Sequence, residues 1–297
     1  MKQGDLVVRK SYGGDVTFRI EAFMKDLVII KGIDFRLLAD APTNDLMPVT
    51  EGKPLHYKEE QAFIRAKEST RLLEQHRRVQ TERNQADLNQ KMMNHQPYFE
   101  VPGKVLHLDG DPNYLKKSLD LYNQLRVPAE GHYVTEANMA DVLYRLLPRV
   151  KPDIVVITGH DGVYRHLKNR DLYSLSSYKN SQNFVNAIKT ARQYERNFDV
   201  LNIVAGACQS HFEALLQAGA NFASSPGRIL IHALDPVYVA AKASFTPIRE
   251  TINIVEVLSQ TITGTDGMGG IETRGSYRIG LPKLRDLTNL DIVPSIP

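Results

Sequence analysis

The chain has 297 residues, 42% of them apolar, with 37 Lys and Arg against 34 Asp and Glu for a formal net charge of +3. That length allows one to three domains with a sizeable core, and so small a basic surplus does not support a nucleic-acid binder, which gathers its positive charge on one face. The single cysteine excludes any intramolecular disulfide, no secretory leader is read at Met1–Asp5, and no apolar run approaches the roughly 20 residues of a membrane span; a soluble cytoplasmic protein is expected.

Residues 1–48 read as all-β. Leu6–Val8, Asp15–Phe23, Leu27–Lys31 and Phe35–Leu38 alternate or are β-branched, and Gly13, Gly14 and Gly32 punctuate them. A small SH3- or Tudor-like β-barrel is expected, docking a peptide or capping the rest of the chain. Pro42, Pro48 and Pro54 mark a linker over about 41–56, and the linker region with polar helices is taken as 49–96. Tyr57–Asn94 is rich in Glu, Arg, Lys and Gln and favours helix. Its apolar residues, Phe63, Ile64, Leu72, Leu73, Val79 and Leu88, are too sparse for a coiled coil. One or two exposed helices are expected, with Arg71, Arg77, Arg78 and Arg83 offered to any protease of basic specificity.

From 97 to 297 strands and helices alternate. Strands are expected at Lys104–Leu108, Gly131–Val134, Asp153–Thr158, Val200–Val204 and Arg228–His232. Helices are expected at Tyr114–Leu125, Thr135–Leu147, Gln182–Tyr194, His211–Gln217, Asp235–Ala243 and Ile248–Leu258, before a Gly- and Thr-rich loop over Thr261–Gly280. This succession predicts an α/β domain with a mostly parallel sheet and helices on both faces.

The chemistry gathers at two strand ends. Val200–Val204 runs into Ala205-Gly206-Ala207 and then Cys208; Asp153–Thr158 runs into Gly159-His160-Asp161-Gly162. If the strands are parallel neighbours, His160 and Cys208 emerge at the edge where α/β sheets bind ligands. Ser210 is expected to cap the following helix, whose N-terminus would favour thiolate. Cys208 then reads as a nucleophile and His160 as its general base and, later, acid. The Cys208 N–H and one from Gly159, Asp161 or Gly162 would form an oxyanion hole; no third member is required, and Asp161 is the candidate to orient His160, although adjacent side chains often point apart. The plainer alternative is that Cys208 is a small buried hydrophobe. His107, His132, His166, His211 and His232 compete for the role of base, although His107 lies within a strand and fits the core. Gly264–Gly270 lacks the Lys-Ser/Thr ending of a phosphate-binding loop and reads as an active-site loop or a nick site near Arg274. No metal-ligand spacing is present, and no cofactor is expected.

A His-Gly strand end followed 48 residues later by an Ala-Cys strand end resembles the caspase-like (clan CD) cysteine proteases, where this separation is about 50. Two departures stand out: Asp161 separates His160 from Gly162, and Gln209-Ser210 follows the cysteine. Gly4–Val8, Ala39–Pro42, His107–Pro112, Ile157–Gly162 and Gly206–Ser210 together resemble the YabG family of sporulation-specific proteases of spore-forming Firmicutes, over essentially the full length. That resemblance implies a cysteine endopeptidase that processes spore coat and morphogenetic proteins in the mother cell around the forespore. In caspase-like folds the loop after the first strand helps build the pocket for the residue preceding the scissile bond. Here it holds Asp109 and Asp111, whose carboxylates would favour Arg or Lys, although Asp-Gly-Asp-Pro is also turn chemistry. Two other readings stay open. An amidotransferase-like hydrolase is one, though His232 is followed by Ala233-Leu234 and not by the usual x-Glu. A non-enzymatic scaffold for coat assembly is the other.

Overall fold

Five short strands open the computed structural model, which describes residues 1–25, 27–49, 57–91, 98–164 and 171–282. They are β1 (Leu6–Arg9), β2 (Thr17–Phe23), β3 (Val28–Gly32), β4 (Leu38–Ala41) and β5 (Leu46–Pro48), and they form one antiparallel sheet in the order β4-β3-β2-β1-β5. Alternate residues Phe18, Ile20, Val28 and Ile30 are buried, as period-2 patterning requires. The structure shows an antiparallel sheet, with no pairing of β4 to β5 among the described residues to close it as the expected barrel, and its apolar cluster also takes in Cys208 and Ile231. Pro42–Pro48 belongs to it and not to a linker, because a 3-10 turn over Thr43–Asp45 leads directly into β5.

One helix of 35 residues follows, α1 (Tyr57–Lys91). Most of its described positions are exposed or half-buried, as the sequence suggests, but one seam is docked. Ala62, Ser69, Leu73 and Gln80 are buried, while Phe63 is 67% and Ile64 52% exposed. Arg65 donates to the Ile262 carbonyl at 3.0 Å, Arg77 to Leu125 at 3.1 Å, and Asn84 to the Tyr277 hydroxyl at 3.0 Å. Apart from Leu73 the seam is small and polar, so a count of large apolar residues mostly misses it.

The α/β part of the chain, read from the sequence as a second domain, begins with β6 (Phe99–Val101) and continues through β7 (Val105–Asp109), α2 (Pro112–Leu125), β8 (Ala129–Tyr133), α3 (Met139–Val150), β9 (Ile154–Thr158), α4 (Ser181–Tyr194) and β10 (Asn202–Ala205). After these come α5 (Phe212–Ala218), β11 (Phe222–Ser224), α6 (Asp235–Phe245), α7 (Ile254–Ser259), β12 (Met268–Gly270) and β13 (Arg278–Gly280). The fold is α/β. Its main sheet has the order β12-β11-β10-β9-β7-β8, with β12 antiparallel and the other five strands parallel. Every residue of β7, β9 and β10 is buried. Leu106, Leu108, Val155 and Ile157 face α3, α4 and α5; Val105, Ile154 and Val156 face α2 and α6. Burying one such aliphatic side chain contributes about 1.5–3 kcal/mol. The strand order reverses between β7 and β9, which fixes the binding crevice at their carboxyl ends.

Four expected elements differ, and one of them is the helix expected from Ile248, which starts only at Ile254. The fifth parallel strand is β11, not Arg228–His232; Ser225 and Arg228 both have left-handed φ (66° and 55°) and turn the chain away. Residues 228–232 instead lie at the sheet's carboxyl edge, where His232 bridges Phe35. Helix α3 begins at Met139 after a 3-10 turn and carries Pro148 inside its last turn. The Gly-rich run ends in β12, the antiparallel edge strand.

Candidate active site

β9 and β10 are parallel neighbours, with Ile157 opposite Ala205. His160 and Cys208 therefore follow adjacent strands at the same edge. The cysteine sits on a tight turn between Gly206 (φ 113°) and Gln209 (φ 56°). A side chain at Gly206 would meet Leu215 Cδ1 at 2.8 Å, so the turn closes against α5. Ser210 does not cap that helix. Its hydroxyl accepts from the Ala207 N–H at 2.9 Å and donates to Asp161 at 3.0 Å, while His211 Nδ1 accepts from Ala214. Cys208 is thus three residues short of the cap, and the expected lowering of its pKa is absent. The thiol is fully buried, its sulfur accepts the Ile231 N–H at 3.1 Å, and burial pushes its pKa well above the ordinary range.

His160 is also fully buried. Its ring stacks on Tyr114 at 5.0 Å, and Nε2 lies 3.9 Å from Asp111 Oδ2. Neither ring nitrogen has a hydrogen-bond partner among the described residues, so thiol and imidazole are not engaged with each other. Burial pushes the imidazole down to about 4, opposed mainly by Asp111. The backbone N–H of His160 donates to Glu136 Oε1 at 2.9 Å. Asp161 does not reach the ring. Its carboxylate accepts from the Ser181 hydroxyl at 2.5 Å, from Ser210, and from the Gly162 and Asn180 N–H groups at 2.8 Å each. That bond also removes Gly162 from the set of free oxyanion donors.

Arg36, from the connection between β3 and β4, also reaches this edge. Its carbonyl accepts the Cys208 N–H at 3.2 Å and the Asp161 N–H at 3.3 Å. Its guanidinium is fully buried, 2.9 Å from Asp109 Oδ2. It also donates to the Ala233 carbonyl at 2.8 Å and to Gly159 at 3.4 Å, and lies 4.9 Å from the centre of the Tyr114 ring. Asp109 accepts the Thr158 hydroxyl at 3.0 Å and the Asp111 N–H at 2.9 Å. Although burial alone would raise its pKa, Arg36 and His107 hold this carboxyl well below the usual carboxylate range. Asp111 has a different role: it caps α2 through Asn113 and Tyr114 and points its other oxygen toward His160. Sequence reasoning missed Arg36, Tyr114 and Glu136. Nothing in the β pattern around Arg36 distinguishes it, and Glu136 falls within the helix expected over Thr135–Leu147 with nothing to set it apart.

The competing histidines have other partners. His107 bonds Tyr122 and Thr158 in the core, His132 bonds Glu130, His211 bonds the Tyr173 carbonyl, and His232 accepts from Leu234. His166 lies outside the described residues. Among the described residues no metal-holding group of His, Cys, Asp and Glu is formed, and no helix is long and apolar enough to cross a membrane.

A family model described as YabG peptidase U57 matches residues 2–282. The chain belongs to this peptidase family. It is 45% identical over 284 residues to the sporulation-specific protease YabG of Bacillus subtilis (strain 168), a match that covers 94% of this chain and 97% of that relative. No solved structure matches the chain.

Proposed function

We propose that the chain is a sporulation-specific cysteine endopeptidase that cuts after basic residues in spore coat and morphogenetic proteins, on the mother-cell side of the forming spore. The observation that carries the chemistry is the pair of backbone N–H groups, from Cys208 and Asp161, that converge on one carbonyl oxygen beside the chain's single thiol. Two such donors at about 3 Å are what an oxyanion hole requires. His160 and Cys208, which follow the ends of adjacent parallel strands, support the caspase-like assignment. The relative's name supports the sporulation setting.

In this reading His160 takes the Cys208 proton as the sulfur attacks the substrate carbonyl. The developing oxyanion rests on the Cys208 and Asp161 N–H groups. His160 then protonates the leaving amine, and water hydrolyses the thioester. Asp109 recognises the preceding Arg or Lys, for which a buried carboxylate already paired with a guanidinium is the support. Glu136 holds the His160 turn, and Asp161 ties that turn to α4 and to the cysteine turn. Wild type, Cys208→Ala and His160→Ala, each folded by circular dichroism, are to be incubated in reductant with unstructured proteins and with Arg, Lys and Asp reporter peptides. Cleavage is expected to vanish in both variants and to favour the Arg and Lys reporters. Cleavage that survives Cys208→Ala removes the thiol mechanism, and equal rates on Arg and Asp reporters remove the role of Asp109.

A further inference from the structure

The segment Asp34–Leu38 makes, with the carboxyl edge of the second domain, the set of bonds a bound peptide would make. The Arg36 N–H donates to the Ile231 carbonyl at 3.2 Å and the Ala233 N–H donates to the Asp34 carbonyl at 2.8 Å, an antiparallel pairing on one side of the chain. On the other side the Arg36 carbonyl lies between the Cys208 and Asp161 N–H groups, and the Leu38 N–H donates to the Asp161 carbonyl at 2.9 Å. An extended peptide read by backbone pairing, with one side chain in a pocket, is strand addition. The side chain in the pocket is Arg36, over the Asp109 carboxylate.

A merely structural contact between two domains has no need of this residue. Two charges taken out of water are expensive, and an apolar pair of similar volume would often be as stable or more so. The apolar clusters agree: Cys208 and Ile231 pack with Phe35 and Leu37 as part of the N-terminal sheet's own core. The segment is clamped at both ends. The Tyr114 hydroxyl donates to the Gly32 and Phe35 carbonyls, and Lys179 Nζ donates to the Leu38 carbonyl at 3.0 Å and lies 2.9 Å from Asp40. The Leu37 N–H donates to the Phe35 carbonyl at 2.8 Å. Arg36 is therefore at the centre of a tight three-residue turn, and the nitrogen that would leave on cleavage is bonded within the segment.

We infer that Asp34–Leu38 is a built-in occupant of the substrate cleft, with Arg36 standing in for the substrate's basic residue, so that the N-terminal sheet holds the enzyme closed until the segment is displaced. The inference rests on the catalytic reading above and extends it to regulation. It accounts for a thiol and an imidazole that are both buried and not engaged with each other.

The lone cysteine makes the test direct, because a neutral alkylating reagent can label no other thiol. Full-length wild type, Arg36→Lys and Arg36→Gln, each uncut by intact mass and folded by circular dichroism, are to be timed for iodoacetamide labelling and for hydrolysis of an Arg reporter peptide. Wild type and Arg36→Lys are expected to label slowly. Arg36→Gln breaks a buried charge pair and is expected to label about tenfold faster or more, with a parallel gain in kcat/KM. If Arg36→Gln does not fold, Tyr114→Phe removes the hydroxyl bonds to the Gly32 and Phe35 carbonyls while leaving the charge pair intact, and labelling is expected to rise several-fold. Fast labelling of wild type, or a folded Arg36→Gln (or Tyr114→Phe in its place) that labels at the wild-type rate, overturns the occupancy. Faster labelling without hydrolysis by any form leaves the occupancy standing and sinks the protease reading.

Discussion

The Arg36–Asp109 pair gives a prediction whose size follows from the structure. Both side chains are fully buried and 2.9 Å apart, one in each domain. Removing one partner leaves the other charge out of water without compensation, at a cost of about 3–5 kcal/mol. Asp109→Asn and Arg36→Gln should therefore each lower stability by that amount, about 1 M or more in urea midpoint for an m-value near 3 kcal/mol/M. The double variant should not lose twice as much. Once the first charge is gone, removing the second relieves the penalty, so the cycle should show a coupling of about 2–3 kcal/mol. Urea unfolding of the four proteins, followed by circular dichroism at pH 7, measures it. Additive losses would refute the claim that these two charges meet in a dry pocket. Small single losses would place the guanidinium in water and remove the closed state with it.

Further predictions concern other parts of the molecule. Burial lowers the pKa of His107, and puts His160 and His232 at about 4, so the unfolded chain binds more protons as pH falls below about 6.5. Their stability is full above that value and lost toward pH 4; Asp235, raised to about 6, acts in the opposite sense, as do Asp161 and Glu136, which burial also raises, and these three carboxyls offset part of the loss. Thermal melts should fall by about 10 °C between pH 7 and 4.5, and an unchanged melt would mean the imidazoles are solvated. Glu136→Ala should lower kcat about tenfold by loosening the His160 turn, while Glu136→Gln, which keeps an acceptor for that N–H, should restore most of it; equal loss in both would point to the charge instead. A Cβ at residue 162 would meet the Leu38 carbonyl oxygen at 2.4 Å, so Gly162→Ala should push the segment outward and speed thiol labelling. On α1, Leu73→Ala should cost about 2–5 kcal/mol and Phe63→Ala within about 0.5 kcal/mol, the reverse of what residue size along the helix suggests.

Much of the second domain was legible because its signals are local. Continuous β-branched runs such as Ile154–Thr158 have no stable place except a sheet buried on both faces. Helices between such runs force parallel strands, and that alone brings His160 and Cys208 to one edge. The run Arg228–His232, expected as a strand, forms none and makes a single antiparallel bridge, from His232 to Phe35 in the N-terminal sheet region. Hydropathy shows that a segment wants an extended partner and not which partner it receives.

What the sequence determined by itself is the α/β succession, the all-β start and the placing of one thiol and one imidazole at strand ends, because each follows from the chemistry of neighbouring residues. Only the tertiary structure decided that α1 docks through Ala62, Ser69, Leu73 and Gln80, that Asp161 turns away from His160 toward Ser181, and that Arg36 enters the Asp109 pocket. Those outcomes depend on side chains meeting across elements far apart in the chain. Charge pairing in a dry pocket leaves no period in the sequence, since the residues it buries are the ones that hydropathy assigns to water.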